Sequence, residues 1–392
     1  MRQETQQRRQ PSTSEHEHAA AQGPFARNRR LLAAALLILL PSAVVLAVSV
    51  GAVRIPPREV VAAVVRGLSG LVGATPVGLP EPPVQDAIIL QLRLPRVLLA
   101  ALCGAALSLA GVAFQAVFRN PLADPYMLGA SSGAALGAAA AVLAGLTFGT
   151  LGGAAVPACA FVGALTAVAL AYGLARRASG TSTLGLLLAG VVVGSWAASA
   201  LSLLIYFSGR FLAQIVFWLM GGFGAATWRS IGAALPYMTV GGAVVFGRAR
   251  DLNLLVMGDE TAMGLGVDAE RSRRWLVAGA SLLTAAAVAV SGPIGFVGLL
   301  VPHLVRFLVG ADHWHLLPAA AGAGALLMVL ADTVARTVLA PTELPVGIVT
   351  ALCGGPFFLW LLTRRARFRS FGGFGGAGGA GGGGDAGGMG DD

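Results

Sequence analysis

Apolar residues fill long runs of this 392-residue chain, and the runs are broken by Arg, Pro and turn-forming residues. The hydrocarbon layer of a bilayer takes about 20 apolar residues per helix. On that template the pattern predicts ten spanning helices, near 31–53, 94–116, 124–147, 151–175, 183–207, 231–249, 274–292, 296–309, 316–338 and 344–363, the eighth being short. The expected fold is an all-α integral membrane protein of about ten transmembrane helices. An even number puts both termini on one side. Residues 1–30 are polar, with no apolar stretch before Leu31, and read as a cytoplasmic tail ahead of a membrane helix, not as a cleavable signal. After Arg369 the chain is Gly with scattered Ala and Asp, a tail that buries nothing and is expected to be disordered. The domain boundaries are then 1–30, a membrane domain at 31–365, and 366–392.

Composition agrees with lipid as the solvent. Hydrophobic residues make up 56% of the chain and charged ones 11%, against about a quarter charged in ordinary globular proteins. All 27 basic residues are Arg, and against 18 acids they give +9. They stand singly or in short clusters between apolar runs, which excludes the basic stripe of a nucleic-acid binder. They orient the chain instead: with an inside N-terminus, 19 Arg fall on the cytoplasmic side and 8 outside. Cys103, Cys159 and Cys353 lie far apart in apolar segments without CxxC spacing, and read as small buried hydrophobes. Glu15, His16, Glu17 and His18 carry metal-capable side chains, but in a tail without fixed geometry they read as solvated charge.

Small residues recur four apart on single helical faces, as in Gly129-Gly133-Gly137 and Gly190-Gly194. In lipid such faces hold helices together by close backbone approach. Four polar islands interrupt the apolar background. The first joins Arg93-Leu94-Pro95-Arg96 to Arg119-Asn120-Pro121-Leu122-Ala123-Asp124-Pro125, whose two prolines forbid continuous helix. The second, 251–273, is too polar to span: Asp259 and Glu260 suit a helix start and Gly266 a helix end, making a cytoplasmic handle for another protein. The third runs from Ser291-Gly292-Pro293 through His303 and Arg306 to Asp312-His313-Trp314-His315, where capping and headgroup contact account for the residues better than a metal does. In the fourth, Asp332 and Arg336 lie one helical turn apart, able to pair, ahead of Pro341-Thr342-Glu343-Leu344-Pro345.

Together the islands resemble one family, the permease subunits of ATP-binding-cassette importers for iron-siderophores, haem and vitamin B12. The signatures are RLPR at 93–96, RNPLADP at 119–125, GDETAMGLGV at 258–267, GFVGLLVPHLVR at 295–306 and TELPVG at 342–347, in the family's order, with the resemblance covering about 31–365. It implies a multi-pass cell-membrane permease acting as a homodimer or pseudo-symmetric heterodimer. Gly258, Asp259, Glu260, Ala262, Leu265 and Gly266 then correspond to the segment that docks on a separate ATPase subunit. Arg93, Arg96 and Arg336 correspond to positions that pair with acids of an extracytoplasmic substrate-binding protein. Asn120, Thr181 and Ser182 match the cytoplasmic gate. The resemblance also implies a pathway between two copies or paralogues, with the fifth and tenth helices nearest the axis; Ser195, Ser199, Ser202 and Tyr206 on the fifth are candidates to face it. The cargo is expected to be an iron-siderophore or related metal chelate, with cobalamin or haem as the alternative. No cofactor and no nucleic acid are implied. Without a Lys the chain lacks the phosphate-binding loop GxxxxGK[ST], so it is not expected to be an enzyme. A secondary transporter would carry mid-helix ionisable residues and broken helices, whereas nearly all charges here fall at predicted helix ends.

Overall fold

The computed structural model describes residues 25–51, 53–71, 84–146, 152–179 and 182–369, and all regular structure among them is helical. Helix α1 (Ala26–Ser49) is followed by α2 (Pro57–Leu71). A short α3 (Val84–Ala87) runs through a π-helical stretch (Ile88–Arg93) into α4 (Leu94–Val117). Next come α5 (Ala130–Leu143), α6 (Ala155–Ser179), α7 (Thr183–Tyr206), α8 (Leu212–Leu219), α9 (Trp228–Gly247) and α10 (Ala249–Val256). The chain continues through α11 (Asp259–Gly264), α12 (Ala269–Ser291), α13 (Val297–Val309), α14 (His313–Thr337) and α15 (Val346–Arg369).

Among the described residues seven helical segments are long and apolar enough to cross a membrane: α1, the continuous 84–117 segment, α6, α7, α9, α12 and α14. The third, eighth and tenth predicted spans are also helical, as α5, α13 and the apolar part of α15 (Val346–Trp360), but shorter. The third starts late because Asn120 and Asp124 each close an Asx turn, accepting from the Leu122 N–H (3.0 Å) and the Tyr126 N–H (2.8 Å). Helices α2 and α8 were not expected from the pattern. α2 has Pro57 at its start and Glu59 in its first turn, both favourable there. It buries Val60 and Ala63 against Ala47 and Val48 of α1 and Ile89 of the π-helical stretch, and Arg66 pairs with Asp86 at 2.7 Å.

Residues up to Gly354 form one unit, and those from Gly355 a second, in which the Phe357 and Trp360 rings lie 5.6 Å apart. In the first unit α4 is the centre, packed on α12, α13 and α14. The predicted small-residue faces are contacts: Gly133 and Gly137 of α5 meet Gly163 and Cys159 of α6, and Gly129 meets Gly194 of α7. A Cβ at Gly111 of α4 would collide with the Gly298 backbone of α13. The expectation of buried cysteines holds for Cys103; Cys159 is half-buried and Cys353 is exposed.

Candidate functional site

The segment expected to couple to an ATPase is built from α10 and α11. α10 buries Ala249, Leu252 and Leu255, an apolar face at helical spacing. Gly258 (φ +119°) turns the chain out of α10, a conformation that Gly takes without a Cβ penalty. α11 ends in a Schellman arrangement at Gly266 (φ +80°): the Val267 N–H bonds the Ala262 carbonyl at 2.9 Å and the Gly266 N–H bonds that of Met263 at 3.0 Å. Ala262 is buried, while Glu260, Met263 and Leu265 are exposed beside Val256 and Met257. Two short helices therefore present an apolar rim carrying one acid.

Asp259, its side chain 41% exposed, is held by two arginines. Its carboxylate pairs with Arg119 and accepts from Arg273 at 2.8 and 2.9 Å. Arg119 also donates to the Leu255 carbonyl at 2.8 Å. The pattern of charges in the sequence marked Asp259 as a helix starter but gave no sign of these partners, which lie 140 residues before it and 14 after. Behind α10, Asn253 donates to Asp312 (2.9 Å) and accepts the His313 N–H (2.9 Å), tying α10 to the start of α14. Burial disfavours the Asp312 carboxylate, but hydrogen bonds from Asn253, His315 and the Trp314 N–H outweigh it and hold its pKa below the ordinary carboxylate value. The third island's histidines have local roles: His315 bonds Asp312, His313 bonds Asn253, and His303 packs edge-on against Phe307.

At the other end of α4 the three arginines expected to dock a binding protein all have partners within the chain. Arg93 donates to the Val48 (2.8 Å) and Val53 (2.6 Å) carbonyls, closing the C-terminal end of α1. Arg96 grips Asp332 through Nε and Nη2 (3.1 and 3.0 Å) and reaches Glu343 through Nη1 (2.8 Å). Arg336 completes the set, 3.1 Å from Asp332 and donating to the Ala47 carbonyl at 2.8 Å. Asp332 is 1% exposed and Glu343 48%. The predicted turn-neighbour pair Asp332–Arg336 exists, and Arg96 is its third member.

Of the gate candidates, Asn120 closes the first Asx turn after α4, Ser182 caps α7 by accepting the Gly185 N–H (3.2 Å), and Thr181 lies outside the described residues. The 120–129 segment meets the other irregular stretch, 292–296, through Tyr126: its hydroxyl donates to the Ile294 carbonyl (3.0 Å) and accepts the Ile294 N–H (3.1 Å). Sequence reasoning missed Tyr126, and nothing in its spacing signals that contact. Both stretches are irregular backbone, mostly buried or half-buried, the setting in which non-helical backbone is tolerated in a membrane protein. On α7, Ser195, Ser199, Ser202 and Tyr206 are all exposed.

Known proteins resemble this chain in sequence and fold. The FecCD transport family matches residues 36–364. The chain is 46% identical over 292 residues to the cobalamin import system permease protein BtuC of Halobacterium salinarum, covering 74% of this chain and 78% of that one. It is 40% identical over 330 residues to the uncharacterized ABC transporter permease protein YvrB of Bacillus subtilis (83% and 91% covered). With the hemin transport system permease protein HmuU of Yersinia pestis it shares 44% over 292 residues (72% and 85%). A metal-chelate type ABC transporter solved in an inward-facing conformation superposes with a TM-score of 0.73 at 32% identity, covering 86% of this chain and 99% of that one. The chain belongs to the FecCD transport family.

Proposed function

We propose that the chain is the membrane permease of an ATP-binding-cassette importer, working as two copies or with a paralogue, and that a separate ATPase subunit docks on 251–273. The observation that carries this reading is the exposed rim of Met257, Glu260, Met263 and Leu265. It stands on helices fixed from below by Asp259 and by Asn253. A rigid apolar patch with a polar edge suits protein docking; an interfacial lipid helix carries basic residues instead. In this reading the chain crosses ten times with both termini cytoplasmic, and the rim then lies on the ATP side.

The cargo in this reading is an iron-siderophore or related metal chelate. A second reading, cobalamin or haem, draws on the names of the relatives from Halobacterium and Yersinia. On the outer face, the region of Arg93, Arg96 and Arg336 is the proposed seat of an extracytoplasmic binding protein. Glu343 supports it, since the one well-exposed carboxylate on Arg96 is the partner that an acid of another protein can replace. Asn120 with Thr181 and Ser182 is the proposed inner gate, and the exposed α7 face holding Ser195, Ser199, Ser202 and Tyr206 the proposed pathway wall.

Replacing Glu260 by Arg and Met263 and Leu265 by Ser is expected to reduce co-purification of the ATPase about tenfold or more, with membrane insertion unchanged. Full stoichiometry in the triple variant would remove the docking assignment. Uptake of radiolabelled ferric hydroxamate, haemin and cyanocobalamin by proteoliposomes holding permease, ATPase and binding protein separates the cargo readings.

A further inference from the structure

We propose that Arg119 is the positioning residue through which movement of the coupling helix α11 reaches the 120–129 turn. This rests on the reading of 251–273 as the ATPase-docking segment.

Three observations converge on Arg119. The first is its backbone. α4 ends in a Schellman arrangement, with the Asn120 N–H bonded to the Gln115 carbonyl (3.0 Å) and the Arg119 N–H to that of Ala116 (3.1 Å). Arg119 holds the left-handed position of that motif at φ +48°, where Gly is the unstrained choice. An Arg at such a place needs a use for its side chain. The second observation supplies one: the guanidinium bonds the Leu255 carbonyl at the end of α10 and the Asp259 carboxylate at the start of α11. It spans the joint at Gly258 (φ +119°) between the two helices. The third lies downstream, where Asn120 opens the pair of Asx turns that ends at Tyr126, itself bonded at both polar atoms of Ile294.

The Asp259 carboxylate therefore has two anchors of different kinds. Arg273 is 5% exposed and belongs to the long helix α12, whereas Arg119 is 36% exposed and belongs to a turn. Rotation of α11 about Asp259–Arg273 moves the guanidinium of Arg119, and the first residue dragged along is Asn120. A displaced docking surface thus has a bonded route into the segment where α5 begins. The two ends of this route read out separately, ATPase docking at α11 and exposure of the turn at 120–129.

The test uses the complex with its ATPase, in which Cys103, Cys159 and Cys353 are replaced by Ala and Leu122→Cys reports on the turn. The rate at which a water-soluble maleimide modifies that cysteine is measured with ADP and with a non-hydrolysable ATP analogue. The parent complex is expected to show a difference of about fivefold or more between the two. Arg119→Ala is expected to keep ATPase stoichiometry and hydrolysis while the nucleotide dependence falls to none, and Arg119→Lys to retain part of it. Arg273→Ala serves as the comparison that removes the other anchor and is expected to lower thermal stability while keeping the nucleotide dependence. A nucleotide-dependent rate that persists in Arg119→Ala overturns the proposal, as does loss of the ATPase from that variant, which would make Arg119 a support of the docking surface alone. Failure of the parent complex to bind the ATPase overturns the docking reading instead.

Discussion

At the residue scale, the cluster around Asp332 shows how much a short sequence spacing discloses. Asp332 and Arg336, four apart, announce an ion pair. Arg96, 236 residues away, cannot be joined to them from spacing, yet it is Arg96 and Glu343 that make the pair a network. Burying a carboxylate to 1% exposure is tolerable only while its charge is matched. Asp332→Asn leaves two guanidinia facing an amide, and Arg336→Ala leaves three backbone and side-chain acceptors without their donor. Each is expected to cost about 3–5 kcal/mol, read as similar drops in the thermal midpoint of the detergent-solubilised protein. Arg93→Ala removes a helix C-terminal partner and is expected to cost about 1 kcal/mol. If Asp332→Asn and Arg336→Ala differ strongly, with only the Arg change impairing capture of the binding protein, Arg336 acts in docking and its pairing is incidental.

At the scale of elements, the long helices were legible because a 20-residue apolar run has few other fates in lipid. The stop of α11 at Gly266 was legible for a local reason, since the left-handed position asks for Gly. The short elements were not. α2 reads as a loop because Arg58, Glu59 and Arg66 interrupt it, and its stability comes from Val60 and Ala63 meeting residues of α1 and the π-helical stretch. The contact of α4 with α13 is likewise invisible in the sequence, although both glycines are visible. Gly111→Ala is expected to push these helices apart and destabilise the protein by about 1–3 kcal/mol, the range for overpacking. Gly173→Ala in α6, where a Cβ meets nothing within 4 Å, is expected to be neutral or to stabilise by up to about 1 kcal/mol. Thermal unfolding of the two variants side by side checks the argument, because a general intolerance of Gly→Ala changes would lower both.

At the scale of the whole molecule, the open quantity is the number of crossings. Helices α5 and α13 have 14 and 13 residues, or roughly 20 Å at 1.5 Å per residue, against a hydrocarbon layer of about 30 Å. Each is preceded by one of the two irregular stretches, and Tyr126 joins those stretches by bonding both polar atoms of Ile294. The missing length is thus supplied by irregular backbone that is mostly buried or half-buried, so both elements are expected to count as crossings. Parity makes this testable without a bilayer thickness. In a background without Cys103, Cys159 and Cys353, Arg210→Cys after α7 and Arg271→Cys after α11 are exposed reporters on opposite predicted sides. In right-side-out vesicles, a membrane-impermeant maleimide is expected to label Cys at 210 and to spare Cys at 271 until the membrane is opened. Epitope tags at the two termini are both expected to be protected from external protease. The placement of four Arg between 364 and 369 on the retained side is what the 19-to-8 distribution demands. One protected and one accessible terminus would mean an odd count, and the reporter pattern would then say where the parity is lost. Labelling of 210 as expected with 271 also accessible would place the break between α8 and α11; the expected pattern at both would place it before 210 if the N-terminal tag is the accessible one, where α5 is the short helix, and after 271 if the C-terminal tag is, where α13 and the apolar part of α15 are the short ones.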